Sequence, residues 1–442
     1  MIPIVTPARM AEIDAAAADR IDDLIDRAGR AVALAALDML GGTYGRRVAI
    51  LAGPGNNGAD GRVAATHLRR RGVRVVVVDA LDPPATVPPA DLVIDAAFGN
   101  GLSRTFTPPA IDAATPVLAV DLPSGVDGLT GALLGDPWAA DRTVTFVALK
   151  PGLVLEPGRS LAGEIRVVDV GLESGPVEAF AVEDADVAGL LPVRPVDDHK
   201  WRSGVRIIGG SPGMSGAAEM AARAAVRAGA GIVQLAMPGG RGDEGPTEVV
   251  GHPLAPTGWA GDAVAGLDRI RGVLVGPGLG PAAIDDLVAV AGVDSALVVD
   301  GDALQADMLA ALRGREAPTV LTPHDGEWAR LGGHGGGDRL AATAAFARDH
   351  AVTVVRKGPT TVVAAPDGAV RVVTSGSSAL ASAGTGDVLA GAVVALLARG
   401  LDGFDAGTVA AHLHGSAGRR LGEGLLASEV ADLLPVVAAQ LR

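Results

Sequence analysis

Two glycine-rich stretches hold the residues whose types and spacing are best suited to chemistry. Late in the chain, "SAGTGDVLAGAVVALLARG" sets Gly384, Thr385 and Gly386 just ahead of Asp387 and an apolar run of helical length. Glycines let backbone N–H groups close around an anion, and a helix amino terminus adds positive potential. A carboxylate on that first turn is placed to take a proton from a hydroxyl as a phosphoryl group arrives. Aspartate near a helix start is also a common cap, so this stretch alone leaves both readings open. The second stretch, "GPGNNGADG" at residues 53 to 61, places Asn56, Asn57 and Asp60 on a strand-to-helix turn with no lysine and no nucleophile. It offers carboxamide and carboxylate oxygens where a phosphate cradle would want a cation. Asn-Gly and Asp-Gly also make ordinary turns.

Further candidates stand at similar junctions. "RKGPTT" ends an apolar run with Lys357 and two threonines, donors suited to nucleotide phosphates, although a strand-end lysine is commonly just solvated. "LTPHDGE" puts His324 and Glu327 after another apolar run, "VGPGLG" supplies a close backbone approach, and "GMSGAAEMAARAAVRAGAG" reads as a small-residue helix against which a flat ligand could lie. In the first half, "DAAFGNG" carries Asp95 and "DLPSGVDG" carries Asp121 and Ser124. If these runs are parallel strands, their carboxyl ends converge and their oxygens surround a weakly charged cation. With no cysteine and only 8 histidines, a hard monovalent ion suits this set better than a transition metal.

Short β-branched runs must position these residues. "RVAILAG", "VRVVVVDA", "DLVIDAAFG", "TPVLAVDLPSG", "RTVTFVAL" and "EIRVVDVG" recur between helical or Gly/Pro-rich stretches. Their near-continuous apolarity predicts strands covered on both faces, hence a mainly parallel sheet with ligands at its carboxyl edge. The preceding segment, opening at Thr6-Pro7, predicts two helices. "ESGPVEAFAVEDADVAGLLPVRPVDDHKW" breaks the rhythm. The pattern then resumes with "GVRIIGGS", "GIVQLAMP", "GVLVGPGLG", "ALVVDGDAL", "TVLTPHDGE" and "VTVVRKG", a hairpin turned at Pro-Asp-Gly, and a helical ending.

A length of 442 residues suits two domains. The expected division is 1–185, a linker at 186–196, and 197–442. Hydrophobic residues make up 48% and aromatics 2%, so Ala, Val, Leu and Gly build the cores. A net charge of −14 disfavours a nucleic-acid partner. The absence of cysteine excludes disulfides and thiolate chemistry and fits a reducing interior. Neither a signal peptide nor a membrane span is visible, so a cytoplasmic protein is expected.

The second half resembles the ribokinase-like fold and, more narrowly, its NAD(P)H-hydrate dehydratase branch, through "GGSPGMSGAAEMAARAAVRAGAG", "VGPGLG", "LTPHDGE", "KGPTT" and "AGTGDVLAG", in order. The resemblance implies that Lys357, Gly358, Pro359, Thr360, Thr361 and Gly386 contact the adenine nucleotide, ADP or ATP with Mg2+. It likewise implies that Asp387, His324, Gly278 and Ala217 contact the hydrated nicotinamide. The first half, a Rossmann-like αβα sandwich in expectation, resembles the NAD(P)H-hydrate epimerases through its three glycine-rich strand ends. Potassium on Asn57, Asp95 and Ser124 is implied. So are substrate contacts from Asn56, Asn57, Gly58, Ala59 and Asp60, from Gly99, Asn100, Gly101, Leu102, Ser103, Arg104 and Thr105, and from Asp121. Asp121 is the expected proton-transfer residue. Two positions depart from the pattern: Ala59 stands where glycine is usual, and Asn100 interrupts a loop that is commonly Gly-Thr-Gly. An alanine forced to positive φ would cost about 1–2 kcal/mol.

The resulting expectation is a bifunctional α/β enzyme that epimerises the R and S hydrates, NADHX and NADPHX. It dehydrates the S form at the expense of ADP, with ATP as the alternative donor, and works as a homo-oligomer of four or more copies. The alternatives are a ribokinase-like kinase of a small alcohol such as a vitamin, and an amino-terminal module that only binds or assembles.

Overall fold

Continuous burial along the strands decides the fold class. The computed structural model describes residues 1–243, 245–280, 284–334 and 336–442. It divides into two units, Ile2–Ala181 and Val182–Arg442.

The first unit contains β1 (Ile2–Ile4), β2 (Arg47–Ala52), β3 (Arg74–Asp79), β4 (Leu92–Ala96), β5 (Val117–Val120), β6 (Arg142–Phe146), β7 (Glu164–Val168) and β8 (Ala179–Ala181). Six of them form a parallel sheet in the order β3-β2-β4-β5-β6-β7, while β1 and β8 pair antiparallel. Every residue of β4 and β5 is buried. Successive side chains point to opposite faces, so both faces of the sheet are covered. The two expected amino-terminal helices are Pro7–Ala16, capped by the Thr6 hydroxyl accepting from Arg9 N at 3.2 Å, and Ile21–Leu40. Val32, Ala36 and Leu40 of the latter pack with Ile50, Leu68, Ile94 and Leu118 into one core. The strand order reverses at β2 and β4, which opens a crevice at their carboxyl ends.

The second unit contains β9 (Gly204–Ile208), β10 (Ile232–Pro238), β11 (Val250–Leu254), β12 (Ile270–Val275), β13 (Ala296–Val299), β14 (Thr319–Leu321), β15 (Thr353–Arg356), β16 (Thr361–Ala364) and β17 (Val370–Val373). They lie in the order β17-β16-β15-β14-β13-β12-β9-β10-β11. All pairs from β9 to β15 are parallel, and β16 and β17 form the antiparallel hairpin expected around Pro366-Asp367-Gly368. Helices Ser215–Arg227, Thr385–Ala398, Gly403–Leu421 and Ala427–Leu441 contribute to a single core. Gly391 lets two of them touch, since a Cβ there would stand 2.1 Å from the Ala221 carbonyl oxygen.

The segment that breaks the sequence rhythm contains a helix, Asp184–Leu190, whose Val187 is fully buried in the second unit's core. The units therefore divide at Ala181/Val182. Among the described residues no helix is long and apolar enough to cross a membrane.

Candidate active sites

In the first unit, the loops after β2, β4 and β5 enclose a cavity of about 590 Å³. Asn56, Asn57, Asp60, Gly99, Asn100, Gly101, Leu102, Ser103, Arg104 and Asp121 all line it. Gly58, Ala59 and Thr105 do not. The stretch expected as a strand-to-helix turn is already helical from Asn56, so "NNGAD" forms the opening turns of the helix Asn56–Arg70. Gly58 is glycine because a Cβ would stand 1.8 Å from the Gly53 carbonyl oxygen. Ala59 is helical and absent from the positive-φ residues, so the feared left-handed strain does not arise.

Asp95 and Ser124 meet at the carboxyl ends of β4 and β5, and Asn57, which lines the cavity, bonds to the end of β5 at Val120. Asp95 is 1% exposed and accepts from Ser124 N at 2.7 Å, Ser124 Oγ at 2.6 Å and Ala97 N at 3.3 Å. Burial pushes its carboxyl up, with the Ser124 hydrogen bonds opposing, and no cationic side chain among the described residues answers it. Asn57 donates its amide to Val120 O at 2.7 Å, which leaves Oδ1 facing Gly99. The Phe98 carbonyl lies 2.9 Å from Ser124 Oγ. An all-oxygen set with one negative charge and no lysine or arginine fits a hard monovalent cation.

Asp121 sits at the end of β5 with φ +69, and Val147 at the end of the adjacent β6 has φ +68. Each is the centre of a three-residue turn, closed by Leu122 N on Val120 O at 2.9 Å and by Ala148 N on Phe146 O at 2.7 Å. Such turns are rare and strained, at roughly 1–3 kcal/mol each. The second turn leads into Lys150, which is 1% exposed. Its ammonium contacts Asp121 Oδ1 at 2.5 Å, Thr145 Oγ1 at 2.8 Å and the Phe146 carbonyl at 3.1 Å. The other Asp121 oxygen accepts from Asn100 N at 3.3 Å. Asn100 Oδ1 is buried and has no partner among the described residues.

In the second unit, Asp387 occupies the first turn of the helix Thr385–Ala398, behind Gly384 at φ +90. Lys357, at the β15–β16 turn, reaches Asp300 Oδ1 at 2.8 Å and Glu327 Oε2 at 3.5 Å. A Cβ on Gly386 would stand 3.4 Å from Lys357 Nζ, so the lysine-threonine turn and the GTGD turn meet. Burial alone would lower the Lys357 ammonium, but Asp300 and Glu327 outweigh it and hold it above its ordinary range. Asp387 is pushed up to about 7, first by burial and then by Asp300, with Lys357 opposing.

His324 caps the helix Asp325–Arg330. Its Nδ1 accepts from Gly326 N at 3.0 Å and Glu327 N at 3.2 Å, so the ring proton sits on Nε2, 3.3 Å from Glu327 Oε1. Gly278, with φ +59, has space for no side chain, since a Cβ there would meet Ala217 Cβ at 2.9 Å. The Ser211 hydroxyl donates to its carbonyl at 3.1 Å. Gly280 N donates to Asp302 Oδ2 at 2.8 Å, and Asp302 is among the charges that raise Asp387. Gly358, Pro359, Thr360 and Thr361 continue the turn from Lys357 into β16.

Sequence reading missed Lys150, Asp14, Asp300, Asp302 and His414. The first had a signal: "ALKPG" repeats the syntax of "RKGPTT", a lysine leaving a strand before Pro and Gly. His414 is buried, pushed down to about 4 mainly by burial, and hydrogen-bonded to the Thr385 backbone. Nothing in its helix marks it apart from a core histidine. Among the described residues no three acidic, thiol or imidazole groups cluster as a metal site.

With this geometry in hand, comparison with known proteins is informative. A family described as NAD(P)H-hydrate dehydratase matches residues 205–434, and one described as the amino terminus of YjeF-related proteins matches residues 21–88 and 78–152. The bifunctional NAD(P)H-hydrate repair enzyme of Salinibacter ruber is 35% identical, covering 94% of this chain and 92% of its own. That of Mycobacterium tuberculosis is 39% identical, covering 83% and 81%. The solved ADP/ATP-dependent NAD(P)H-hydrate dehydratase of Bacillus subtilis, co-crystallised with ATP/Mg2+, is 29% identical with a TM-score of 0.51. It covers 59% of this chain and 98% of its own.

Proposed function

Because the chain belongs to the bifunctional NAD(P)H-hydrate repair enzymes, we propose how each unit does its part: Asp387 is the base of a nucleotide-driven dehydratase, and Asp121 transfers protons in an epimerase.

In the dehydratase, the S hydrate lies by Ala217, Gly278 and His324 with its hydroxyl at Asp387. The turn from Lys357 through Gly358, Pro359, Thr360 and Thr361, with Gly386, holds the nucleotide. Hydroxide is a poor leaving group and a phosphate ester is a good one. Asp387 removes the hydroxyl proton as the terminal phosphoryl group is transferred, the ring nitrogen's lone pair then expels phosphate to leave an iminium, and loss of a proton from the adjacent ring carbon to the departing phosphate regenerates NAD(P)H. We take ADP as the donor. Mg2+ accompanies the nucleotide of the Bacillus enzyme. It suits a site that offers no metal cluster of its own, because Mg2+ commonly rides on substrate phosphates. The observation that carries this reading is the meeting of Lys357, Gly386 and an aspartate poised near neutrality. Incubating mixed hydrates with ADP or ATP should restore the absorbance of the reduced coenzyme. Absence of nucleotide consumption overturns the reading, and a stable phosphorylated product in place of free phosphate assigns a kinase instead.

In the epimerase, the hydrate occupies the cavity bounded by Asn56, Asn57, Asp60 and the Gly99–Arg104 loop. Potassium on Asn57, Asp95 and Ser124 would answer the Asp95 charge and brace these loops. Replacing potassium with tetramethylammonium is expected to slow epimerisation at least tenfold and leave nucleotide-driven dehydration of pure S hydrate within twofold. Chromatography of the R and S forms checks this. The reading also includes a cytoplasmic setting, where reduced coenzymes are in use, and a homo-oligomer of four or more copies, which light scattering tests.

A further inference from the structure

The cavity of the first unit holds three carboxyl groups and one ammonium: Asp14, Asp60, Asp121 and Lys150 all line it. Their pairing is unequal. Asp121 receives Lys150 at 2.5 Å and the Thr145 hydroxyl at 3.0 Å. Lys150 directs its three protons to Asp121, Thr145 and the Phe146 carbonyl, which leaves it no proton for a ligand. It is a positioning residue that holds the Asp121 side chain in place. Asp60 is different. It is 6% exposed, on the opening turns of the helix Asn56–Arg70, and no donor or cation among the described residues meets its carboxyl. An uncompensated buried carboxyl is held protonated.

We propose that Asp60 is the second proton-transfer residue of this cavity, donating where the Lys150-paired Asp121 accepts. The proposal rests on the epimerase reading above. Burial, reinforced by Asp121 and Asp14, pushes Asp60 up to about 8, which agrees with the pairing geometry. One carboxyl paired with a buried ammonium and another left unpaired in the same cavity are the arrangement expected of a base and an acid.

The pair accounts for inversion without a co-reactant. The hydroxylated ring carbon of the hydrate is bonded to both the hydroxyl oxygen and the ring nitrogen. Asp121 takes the hydroxyl proton, and the O–H electron pair becomes the second bond of a carbonyl as the carbon–nitrogen bond breaks. That bond's electrons go to nitrogen, which takes the proton of Asp60. Nitrogen departs readily because its lone pair is conjugated through the ring double bond with the carboxamide. The freed aldehyde rotates and presents its other face. Nitrogen then adds back and returns its proton to Asp60, while Asp121 returns its proton to oxygen. Both carboxyls end as they began.

The test uses the full chain and pure R hydrate of NADH without nucleotide, with the appearance of S hydrate followed chromatographically. Asp60→Asn is expected to lower kcat for epimerisation by roughly 10²-fold or more while KM stays within about threefold. Asp60→Glu, which restores a carboxyl, is expected to recover at least tenfold over Asp60→Asn. If Asp60→Asn fails to fold, Asp60→Ser replaces it in the same comparison. Epimerisation by Asp60→Asn within threefold of the unmodified protein, or a loss confined to KM, overturns the assignment. Failure of the unmodified protein to epimerise overturns the epimerase reading instead.

Discussion

Asp387→Asn is expected to lower kcat for nucleotide-driven dehydration about 10³-fold, the scale on which a lost general base is felt. Asparagine keeps the shape of the side chain and can still cap the helix, so the loss reports proton transfer rather than folding. The unmodified protein adds a pH signature. Its Asp387 is protonated below about 7 and ionised above it. As only the ionised form is a base, kcat/KM should climb about tenfold per pH unit on the acid side and flatten above pH 7. Stability runs the other way. A carboxyl raised in the folded state favours folding below its unfolded pKa, and that contribution disappears as pH rises through the folded value. Asp387→Asn should therefore melt at a higher temperature than the unmodified protein at pH 8, with the gap closing toward pH 4. Calorimetry across that range and initial rates from the same stocks check both halves. A dehydratase that keeps a tenth of its rate after this substitution removes the base from the mechanism.

Asp121→Asn is expected to depress epimerisation by roughly 10²–10³-fold. Dehydration of pure S hydrate, carried out in the other unit, should continue. With an equal mixture of the two epimers the variant should stall with the S fraction consumed and the R fraction left, so the absorbance trace reaches half its usual height. The conversion of R hydrate then proceeds only at the rate of the uncatalysed exchange. A full-height trace at normal speed would remove Asp121 from the reaction. Asparagine is the right replacement because it tolerates the left-handed backbone at φ +69 better than alanine does.

The two parallel sheets were legible because strands covered on both faces read as unbroken apolar runs: "VLAV" is buried at every position in β5. That the Lys357 turn and the Asp387 helix start would meet was legible for another reason, since each lies inside a short Gly-rich string that ends a strand or opens a helix. The opening of the helix at Asn56 was hidden. Glycine in a helix reads as a turn, and what Gly58 satisfies is a carbonyl five residues back, which no local pattern displays. Lys150 and Asp300 were hidden by the same kind of distance. Each acquires meaning only from a partner on a neighbouring strand end, Asp121 for one and Lys357 for the other. The Ala59 departure shows the converse error. A positive φ was feared from the family's glycine, and the helix removes the demand.

The left-handed pair, Asp121 and Val147, bears on how this enzyme would respond to directed evolution. Glycine relieves such a conformation at Val147, so a campaign that rewards heat tolerance alone should enrich Val147→Gly, whereas Asp121→Gly would strand the buried Lys150 ammonium and should be lost. Val147→Gly would relax the turn that leads into Lys150 and with it the ammonium's hold on Asp121. Screens for industrial hardiness therefore have to score stereochemical turnover alongside melting, or they will breed a half-enzyme.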